Sequence, residues 1–162
     1  MRTEEITIFK YEELSESAQC KARDWFAINS EYPWYAESMD SMHSFCKEFG
    51  VLIQDYRIDP EDYRGSFVNT NADNSNFRGY TLKKAKKLLN TNGNGYCIYF
   101  DLIYSFYEEF KNSGDPKAAF FHAIHCGIKS IESDIEYQYS KEAIEELIQA
   151  NEYEFLESGD LH

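Results

Sequence analysis

Hydrophobic side chains recur every three or four residues along most of this chain, which is the spacing of one face of an α-helix. The first such run follows Ser15, whose hydroxyl suits a helix N-cap because it can accept a free amide hydrogen of the first turn. Cys20 falls on the opposite, exposed side of the predicted helix. The apolar positions predict a docking helix that buries its rings and small residues: Ala18, Ala22, Trp25 and Phe26.

Further runs with this spacing predict helices over 33–50, 81–90, 96–111 and 115–139, and after the N-cap Ser140. The 96–111 run is apolar on nearly every side, which predicts a central buried helix; a strand over 95–100 is the competing interpretation. The inward stripes of the other helices are predicted to be Tyr35, Met39, Met42, Cys46 and Phe49; Leu82, Ala85, Leu88 and Leu89; Phe121, Ile124, Ile128, Ile131 and Ile135; and Ile144, Leu147 and Ile148.

Alternating or continuous apolar runs predict strands at 3–11 and 51–58 and at the C-terminus, where Tyr153 and Phe155 share a face. The Asn-rich stretch 59–80 predicts a hairpin with strands at 66–70 and 76–80, after a break at Asp59-Pro60. The expected fold is one α+β domain over residues 1–162. In it, about five helices pack on a small antiparallel sheet of three to five strands that includes the N- and C-terminal strands.

Composition limits the functional classes. Aromatic residues make up 17% of the 162 residues, enough for a core without disulfides or a structural metal. The formal charge of −13 repels nucleic acid and anionic membranes and favours basic protein surfaces as partners, although solubility alone is the simpler interpretation. We find neither a membrane-length apolar run nor a signal-peptide pattern, so we expect a cytoplasmic protein with four reduced cysteines.

The charge is unevenly distributed along the chain. Arg64 to Lys87 carries a net charge of +5, and Lys129 to His162 carries −8. Each region is a candidate partner-binding surface, and a solvated helix face is the alternative for each. We do not expect nucleic acid as a partner of the basic region, because no aromatic stacking surface is evident beside it. The candidate residues are Lys83, Lys84, Lys86 and Lys87 on the basic helix and Glu142, Glu145 and Glu146 on the acidic one.

Only one group of residues has spacing typical of a metal site. His122, His125 and Cys126, together with His43 and Cys46 on another predicted helix, offer the nitrogen and sulfur ligands that zinc takes. Helical phase argues against these residues meeting at one metal site, because His122 and Cys126 point away from the isoleucine stripe of their predicted helix. The Gly-rich stretch 90–95 lacks the Lys and Ser/Thr of a phosphate loop, and no nucleophile with a base is evident. We therefore predict no catalytic residue, metal or cofactor; a small enzyme or zinc protein using His122, His125 and Cys126 is the alternative.

Two segments resemble a family of small bacteriophage and prophage proteins. The first is "ELS-x-x-A-x-x-x-AR-x-W" and the second is "NEYEF-x-x-x-G". The matching residues are Glu13, Leu14, Ser15, Ala18, Ala22, Arg23 and Trp25, and Asn151, Glu152, Tyr153, Glu154, Phe155 and Gly159. The matched residues also suit fold determinants, with Trp25 as a core anchor. The family's Gly- and aromatic-rich hairpin is replaced here by the Asn-rich stretch, so the role of that hairpin does not carry over.

The resemblance implies a phage or prophage origin and no known activity. The expected function is a non-catalytic accessory protein in the cytoplasm of the bacterial host. It would bind a host protein with a basic surface and would act as an inhibitor of host restriction or CRISPR-type immunity. Some family members carry an antitoxin-like label, so an antitoxin that neutralises a partner toxin is the alternative. The sequence indicates no oligomeric state.

Overall fold

The computed structural model describes residues 6–29, 33–59, 65–91 and 97–162, and within them the chain is mixed α+β. Six α-helices and two small antiparallel sheets are present in these ranges, which confirms the predicted class. The elements are β1 (Phe9–Lys10), a 3-10 turn (Tyr11–Glu13), α1 (Glu16–Asn29), α2 (Tyr35–Glu48), β2 (Ile53–Arg57), β3 (Phe67–Thr70), α3 (Leu82–Thr91), α4 (Tyr99–Ser113), α5 (Pro116–Gln138), α6 (Lys141–Ala150) and β4 (Glu154–Phe155).

The sheets are smaller than predicted. β1 pairs with β4, with Phe9 opposite Phe155, so the N- and C-terminal strands do lie in one sheet. That sheet has two strands, and so does the one formed by β2 and β3. The prediction of one sheet with three to five strands is therefore wrong for the described residues. Each pair is short, and the rest of each core is covered by helices instead of further strands.

The predicted strand at 76–80 is wrong, because this segment is a series of turns. Asp73 Oδ1 accepts a hydrogen bond from the Ser75 amide at 2.6 Å, which closes a local turn. Asn76 Nδ2 donates to the carbonyls of Phe49 and Gly50 at 3.1 and 3.2 Å. The Asn-rich stretch therefore caps the end of α2, and β3 takes β2 as its partner.

The chain divides into two compact units. Unit 1 comprises 1–32 and 136–162, and unit 2 comprises 33–135. The prediction of a single domain stays a prediction. No helix in the described ranges combines the length and the apolar character needed to cross a bilayer. The predictions at residues 3–5, at Pro60 and at 92–96 fall outside the described residues.

Unit 1 has a hydrophobic core around α1 and one close backbone approach to that helix. The buried residues are Tyr11, Leu14, Ala18, Ala22, Phe26, Ile144, Ile148 and Phe155. Gly159 has a φ of +85°, and a Cβ there would collide with the carbonyl group of Ala18. Only glycine leaves room for the C-terminal turn to lie directly on α1. Ser15 caps α1 as predicted, since its Oγ accepts from the Ala18 amide at 3.3 Å.

Trp25 is not the buried anchor that helical spacing predicts. Its side chain is 45% exposed, while Phe26 is buried. The buried positions of α1 are 18, 22 and 26, four residues apart, and this places Trp25 on the flank of the helix. The large loss of stability expected from truncating a buried tryptophan therefore does not apply.

Unit 2 is built around stacked phenylalanine rings. Phe45 and Phe120 stack with their ring centroids 5.5 Å apart and an interplanar angle of 11°. Phe49 packs edge-on against Phe106 at 4.8 Å. A Cβ on Gly127 would lie 2.6 Å from Leu102 Cδ2, so α5 approaches α4 closely at that glycine. The core therefore combines rings from several helices with small residues, such as Gly127, where two helices approach closely.

The buried faces of several helices are narrower than predicted. Phe121 is exposed and Phe120 is buried in its place, while Leu82 and Leu147 are also exposed. The run over 96–111 is a helix from Tyr99 onwards, but it is buried on one side only, since Phe100 and Tyr104 are exposed. The predicted stripes of α2 and α5 are otherwise buried at Met39, Met42, Cys46 and Phe49, and at Ile124, Ile128, Ile131 and Ile135.

Candidate binding surface

Charge distinguishes the two units. The described residues of unit 1 hold 4 Lys and Arg against 12 Asp and Glu, a formal charge of −8. Those of unit 2 hold 10 against 12, a formal charge of −2. Nearly all the excess negative charge of the described residues therefore belongs to the smaller unit. The acidic C-terminal third and the N-terminal segment contribute to it together.

Every cation among the described residues of unit 1 lies against a carboxylate. Lys10 Nζ is 3.2 Å from Glu154 Oε1, and Lys21 Nζ is 2.7 Å from Asp160 Oδ1. Arg23 Nη1 is 3.0 Å from Glu145 Oε1, which also has Lys141 Nζ at 3.9 Å. The four cations described in this unit therefore share three carboxylates, Glu145, Glu154 and Asp160. Their positive charge does not offset the remaining carboxylates.

Eight exposed carboxylates of unit 1 have no Lys or Arg side chain of the described residues within 4.0 Å and accept no backbone hydrogen bond there. Glu13 is not among them, because its Oε2 accepts from the Lys10 amide at 2.7 Å. We call the eight the acidic surface of unit 1: Glu12, Glu16, Asp24, Glu136, Glu142, Glu146, Glu152 and Glu157. Such a surface attracts basic partners over roughly a Debye length, about 10 Å at 0.1 M salt. Glu142 and Glu146, both predicted to bind a partner, belong to it.

Glu145 does not belong to this surface, although the sequence predicts it there. Its Oε1 accepts hydrogen bonds from Tyr11 Oη at 2.8 Å and from Arg23 Nη1 at 3.0 Å. Arg23 Nη1 also donates to Tyr11 Oη at 2.5 Å. Burial, reinforced by the hydrogen bond to Glu145, raises the pKa of Tyr11. Glu145 is therefore a structural residue that joins α6 to α1 and to the turn before it.

The four lysines of α3 are exposed, as predicted. Lys84 Nζ donates to the carbonyl of Gly79 at 3.3 Å and lies 5.9 Å from the centre of the Tyr80 ring. Burial raises the pKa of Tyr80 to about 12, and the nearby charge of Glu48 contributes. Lys84 therefore has contacts within unit 2. The sequence alone predicts four lysines on α3 that all face solvent without such contacts.

The candidate metal ligands do not come together. His122 Nε2 lies 3.5 Å from Cys126 Sγ on one helix face, and His125 is exposed. His43 packs edge-on against Tyr56 at 6.3 Å, while burial raises the pKa of Cys46 to about 12 and so keeps that thiol neutral. Across the described ranges, no three His, Cys, Asp or Glu side chains are placed to hold a metal ion.

A polar cleft on unit 2 is the feature that the sequence analysis missed. It has a volume of about 700 Å³ and lies along α2. Tyr99 Oη donates to Glu48 Oε1 at 3.2 Å, and burial together with that carboxylate raises the pKa of Tyr99 to about 12. The lining residues are Glu37, Asp40, Ser41, Ser44, Lys47, Glu48 and Tyr99. The lining residues on α2 recur every three or four positions, as the apolar residues on the other face of this helix do. That spacing could have indicated a polar helix face from the sequence.

The segments that carry the phage-family resemblance lie together in unit 1, and most of their residues have packing roles. Leu14 is in the core, Ser15 caps α1, and Ala18 lies beneath Gly159. Arg23 binds Glu145, and Asn151 Nδ2 donates to the Leu147 carbonyl at 2.8 Å. Trp25 differs from the others, because nearly half of its side chain is exposed.

Comparison with known proteins adds no evidence to these geometric features. No protein-family model, curated protein or solved structure matches the chain. The resemblance to phage and prophage proteins therefore stays a prediction. The surface that carries the most distinctive physical property is the acidic surface of unit 1.

Proposed function

We propose that this chain is a non-catalytic accessory protein of a phage or prophage that binds a basic surface of a host protein through the acidic surface of unit 1. One observation carries the proposal: the four cations of the described part of unit 1 lie within 4.0 Å of only three carboxylates, while eight exposed carboxylates have no Lys or Arg side chain of the described residues that close. A net charge far from zero destabilises a compact unit through self-repulsion, so the formal charge of −8 on the described residues of unit 1 has a cost to stability. A basic partner would relieve that repulsion.

The charge supports a protein partner and not a nucleic acid. The chain has a formal charge of −13, which opposes approach to a phosphate backbone. Proteins that cut or bind DNA in host defence carry basic surfaces for that backbone, and an acidic protein competes for the same surfaces. The class of partner, an enzyme of restriction or CRISPR-type immunity, follows from the phage-family resemblance.

The first test identifies the partner and its chemistry. A tagged chain is used to capture proteins from a lysate of the bacterial host, and the association rate with the purified partner is then measured between 50 and 300 mM salt. We expect association to slow steeply as salt rises, because exposed charges steer the encounter. Capture of a toxin encoded beside this chain would favour the antitoxin alternative.

A matched pair of variants locates the surface. Glu136→Gln, Glu142→Gln and Glu146→Gln together remove three charges from unit 1, and Asp40→Asn, Asp101→Asn and Glu109→Gln remove three from unit 2. Glu145 is left unchanged because it is structural. The unit 1 variant should slow association several-fold and flatten its salt dependence, whereas the unit 2 variant should have a smaller effect. Equal effects of the two variants, or none, would contradict the proposal.

A further inference from the structure

α1 presents two large apolar side chains to solvent one helical turn apart. Trp25 is 45% exposed and Ile28 is 81% exposed. Residues three apart on a helix are surface neighbours, so the two side chains form one patch. We call Trp25 and Ile28 the α1 apolar patch. Isolated exposed hydrophobics are common on protein surfaces, but an indole beside an isoleucine offers a partner a continuous apolar contact.

The Trp25 ring is held in place although it is exposed. It packs edge-on against Phe26, with ring centroids 5.0 Å apart and an interplanar angle of 80°. Phe26 is buried and itself contacts the rings of Tyr153 and Phe155. The indole is therefore supported from the core side. A partner that binds it has less side-chain entropy to remove than it would at an unsupported tryptophan.

An acidic residue borders the α1 apolar patch. Asp24 lies next to Trp25 and four residues before Ile28, is exposed, and belongs to the acidic surface of unit 1. Lys21, four residues before Trp25, is neutralised by Asp160 at 2.7 Å. The patch is therefore apolar at its centre and negative at the edge where Asp24 lies. A central apolar anchor with a charged rim is the usual arrangement of a protein-binding site.

We propose that Trp25 and Ile28 form the apolar centre of the partner-binding site of unit 1, and that the occupant is a basic protein segment that pairs an arginine with an aliphatic side chain. The arginine lies over the face of the indole, which binds cations best among the aromatic rings, and the aliphatic side chain contacts Ile28. This inference rests on the proposed function and adds to it the residues that retain the partner.

A second copy of the chain is disfavoured as the occupant. Two copies meeting at this patch would bring together two units whose described residues each carry a formal charge of −8. That repulsion opposes association at low salt. Charge and apolar contact then have separate roles toward a basic partner: the acidic surface sets the association rate, and the patch sets the dissociation rate.

The test uses two synthetic peptides as probes, one of arginine and leucine and one in which every leucine is replaced by serine. The 162-residue chain carries Trp34→Phe, which leaves Trp25 as its single tryptophan. Binding is followed by tryptophan fluorescence, and the Kd of variants that lack Trp25 is measured by calorimetry. We expect the arginine-leucine peptide to change the Trp25 emission and to bind about tenfold more tightly than the arginine-serine peptide.

Variants separate the patch from the charge. Trp25→Ala and Ile28→Ser should each weaken the arginine-leucine peptide about tenfold, mainly through faster dissociation. Ile28→Ser is the decisive variant because its side chain is almost fully exposed and its loss leaves the core intact. Leu52→Ser, at a comparably exposed apolar side chain of unit 2, is the matched control and should leave the Kd unchanged.

Each contrary result has a distinct meaning. Unchanged affinity in Ile28→Ser, or equal weakening in Leu52→Ser, overturns the inference. If Glu136→Gln, Glu142→Gln and Glu146→Gln still weaken the peptide while Ile28→Ser does not, the proposed function survives and only the patch is rejected. If that charge variant has no effect, the proposed function fails. Self-association at high salt that Ile28→Ser abolishes would assign the patch to a second copy and would overturn the inference.

Discussion

The two units of this protein differ in how their cores pack and in their net charge. Unit 2 packs phenylalanine rings from several helices, such as Phe45 on Phe120 and Phe49 on Phe106, and the formal charge of its described residues is −2. Unit 1 also packs rings, such as Phe26 on Phe155, but its C-terminal turn approaches α1 closely where Gly159 lies on Ala18, and its described residues carry −8. Ring packing makes unit 2 suitable as a scaffold. The difference in charge between the two units is what the proposed binding role of unit 1 rests on.

The difference also explains where the polar networks lie. Self-repulsion among carboxylates weakens a compact unit, so unit 1 benefits from each cation that it places among them. Arg23 is the clearest case, because it contacts both Glu145 and Tyr11 and joins segments more than 120 residues apart in sequence. The hydrogen bond to Tyr11, ahead of the charge of Glu145, raises the pKa of Arg23.

The largest expected effect concerns the ring core of unit 2. Phe45→Ala removes a fully buried ring that stacks on Phe120, and should lower the free energy of unfolding by about 3–5 kcal/mol. Urea denaturation followed by circular dichroism measures it. Phe121→Ala is the control, since that ring is 43% exposed on the same helix as Phe120 and should cost about 1 kcal/mol or less. Similar losses in both variants would show that the rings do not form the core as described.

The next effect concerns the close approach in unit 1. Gly159→Ala combines a left-handed backbone with a clash against the Ala18 carbonyl, and should cost about 2–4 kcal/mol. Gly114→Ala is the matched control, because Gly114 has a similar φ of +71° and an added methyl group there would meet nothing within 4 Å. It should cost only the backbone strain of about 1–2 kcal/mol. Equal losses of stability in the two variants on thermal denaturation would show that the contact with Ala18 adds no cost at position 159.

A smaller effect is expected at the polar network of unit 1. Glu145→Gln keeps the shape of the side chain but removes its charge beside Arg23, and should cost about 1 kcal/mol because the pair is only partly buried. Glu146→Gln, one residue along α6 and exposed, should change the free energy of unfolding by less than about 0.5 kcal/mol. If the two variants are equally stable, Glu145 belongs to the acidic surface after all.

The last effect concerns the titration of the buried thiol of unit 2, which changes stability only at alkaline pH. Burial raises the pKa of Cys46 from 9.0 to about 12, so the native state holds this proton more tightly than the unfolded chain does. Its contribution to stability is therefore complete below pH 9 and is lost as the pH rises from 9 towards 12. In urea denaturation at increasing pH, Cys46→Ala should remove that part of the alkaline decline and leave the pH dependence below 9 unchanged.

Alkylation gives an independent measure of how strongly the fold of unit 2 protects Cys46. At pH 8.5, iodoacetamide should modify the exposed Cys20 of unit 1 rapidly, whereas Cys46 should react only in urea. Mass spectrometry of the peptides distinguishes the two sites. Rapid native-state modification of Cys46 would show that unit 2 opens more readily than its ring packing indicates.

Local sequence determined the helices and their beginnings. Ser15 and Ser140 were predicted as N-caps, and each side-chain oxygen accepts a hydrogen bond from the amide three residues later. These features are local because a capping residue and the amides it satisfies lie within one turn of each other. The exposure of Glu142, Glu146 and the four lysines of α3 was predictable for the same reason, since helical phase depends only on nearby residues.

Tertiary structure alone decided which of two adjacent hydrophobic residues is buried and which carboxylate is structural. Phe26 is buried and Trp25 is exposed, although the two are about 100° apart on the helix and both border the apolar face. Glu145 resembles Glu146 in the sequence, but its partners Tyr11 and Arg23 are 134 and 122 residues away. Strand pairing is likewise non-local, as in β1 with β4. Composition and spacing describe each element, whereas contacts between distant segments select the face that each element buries.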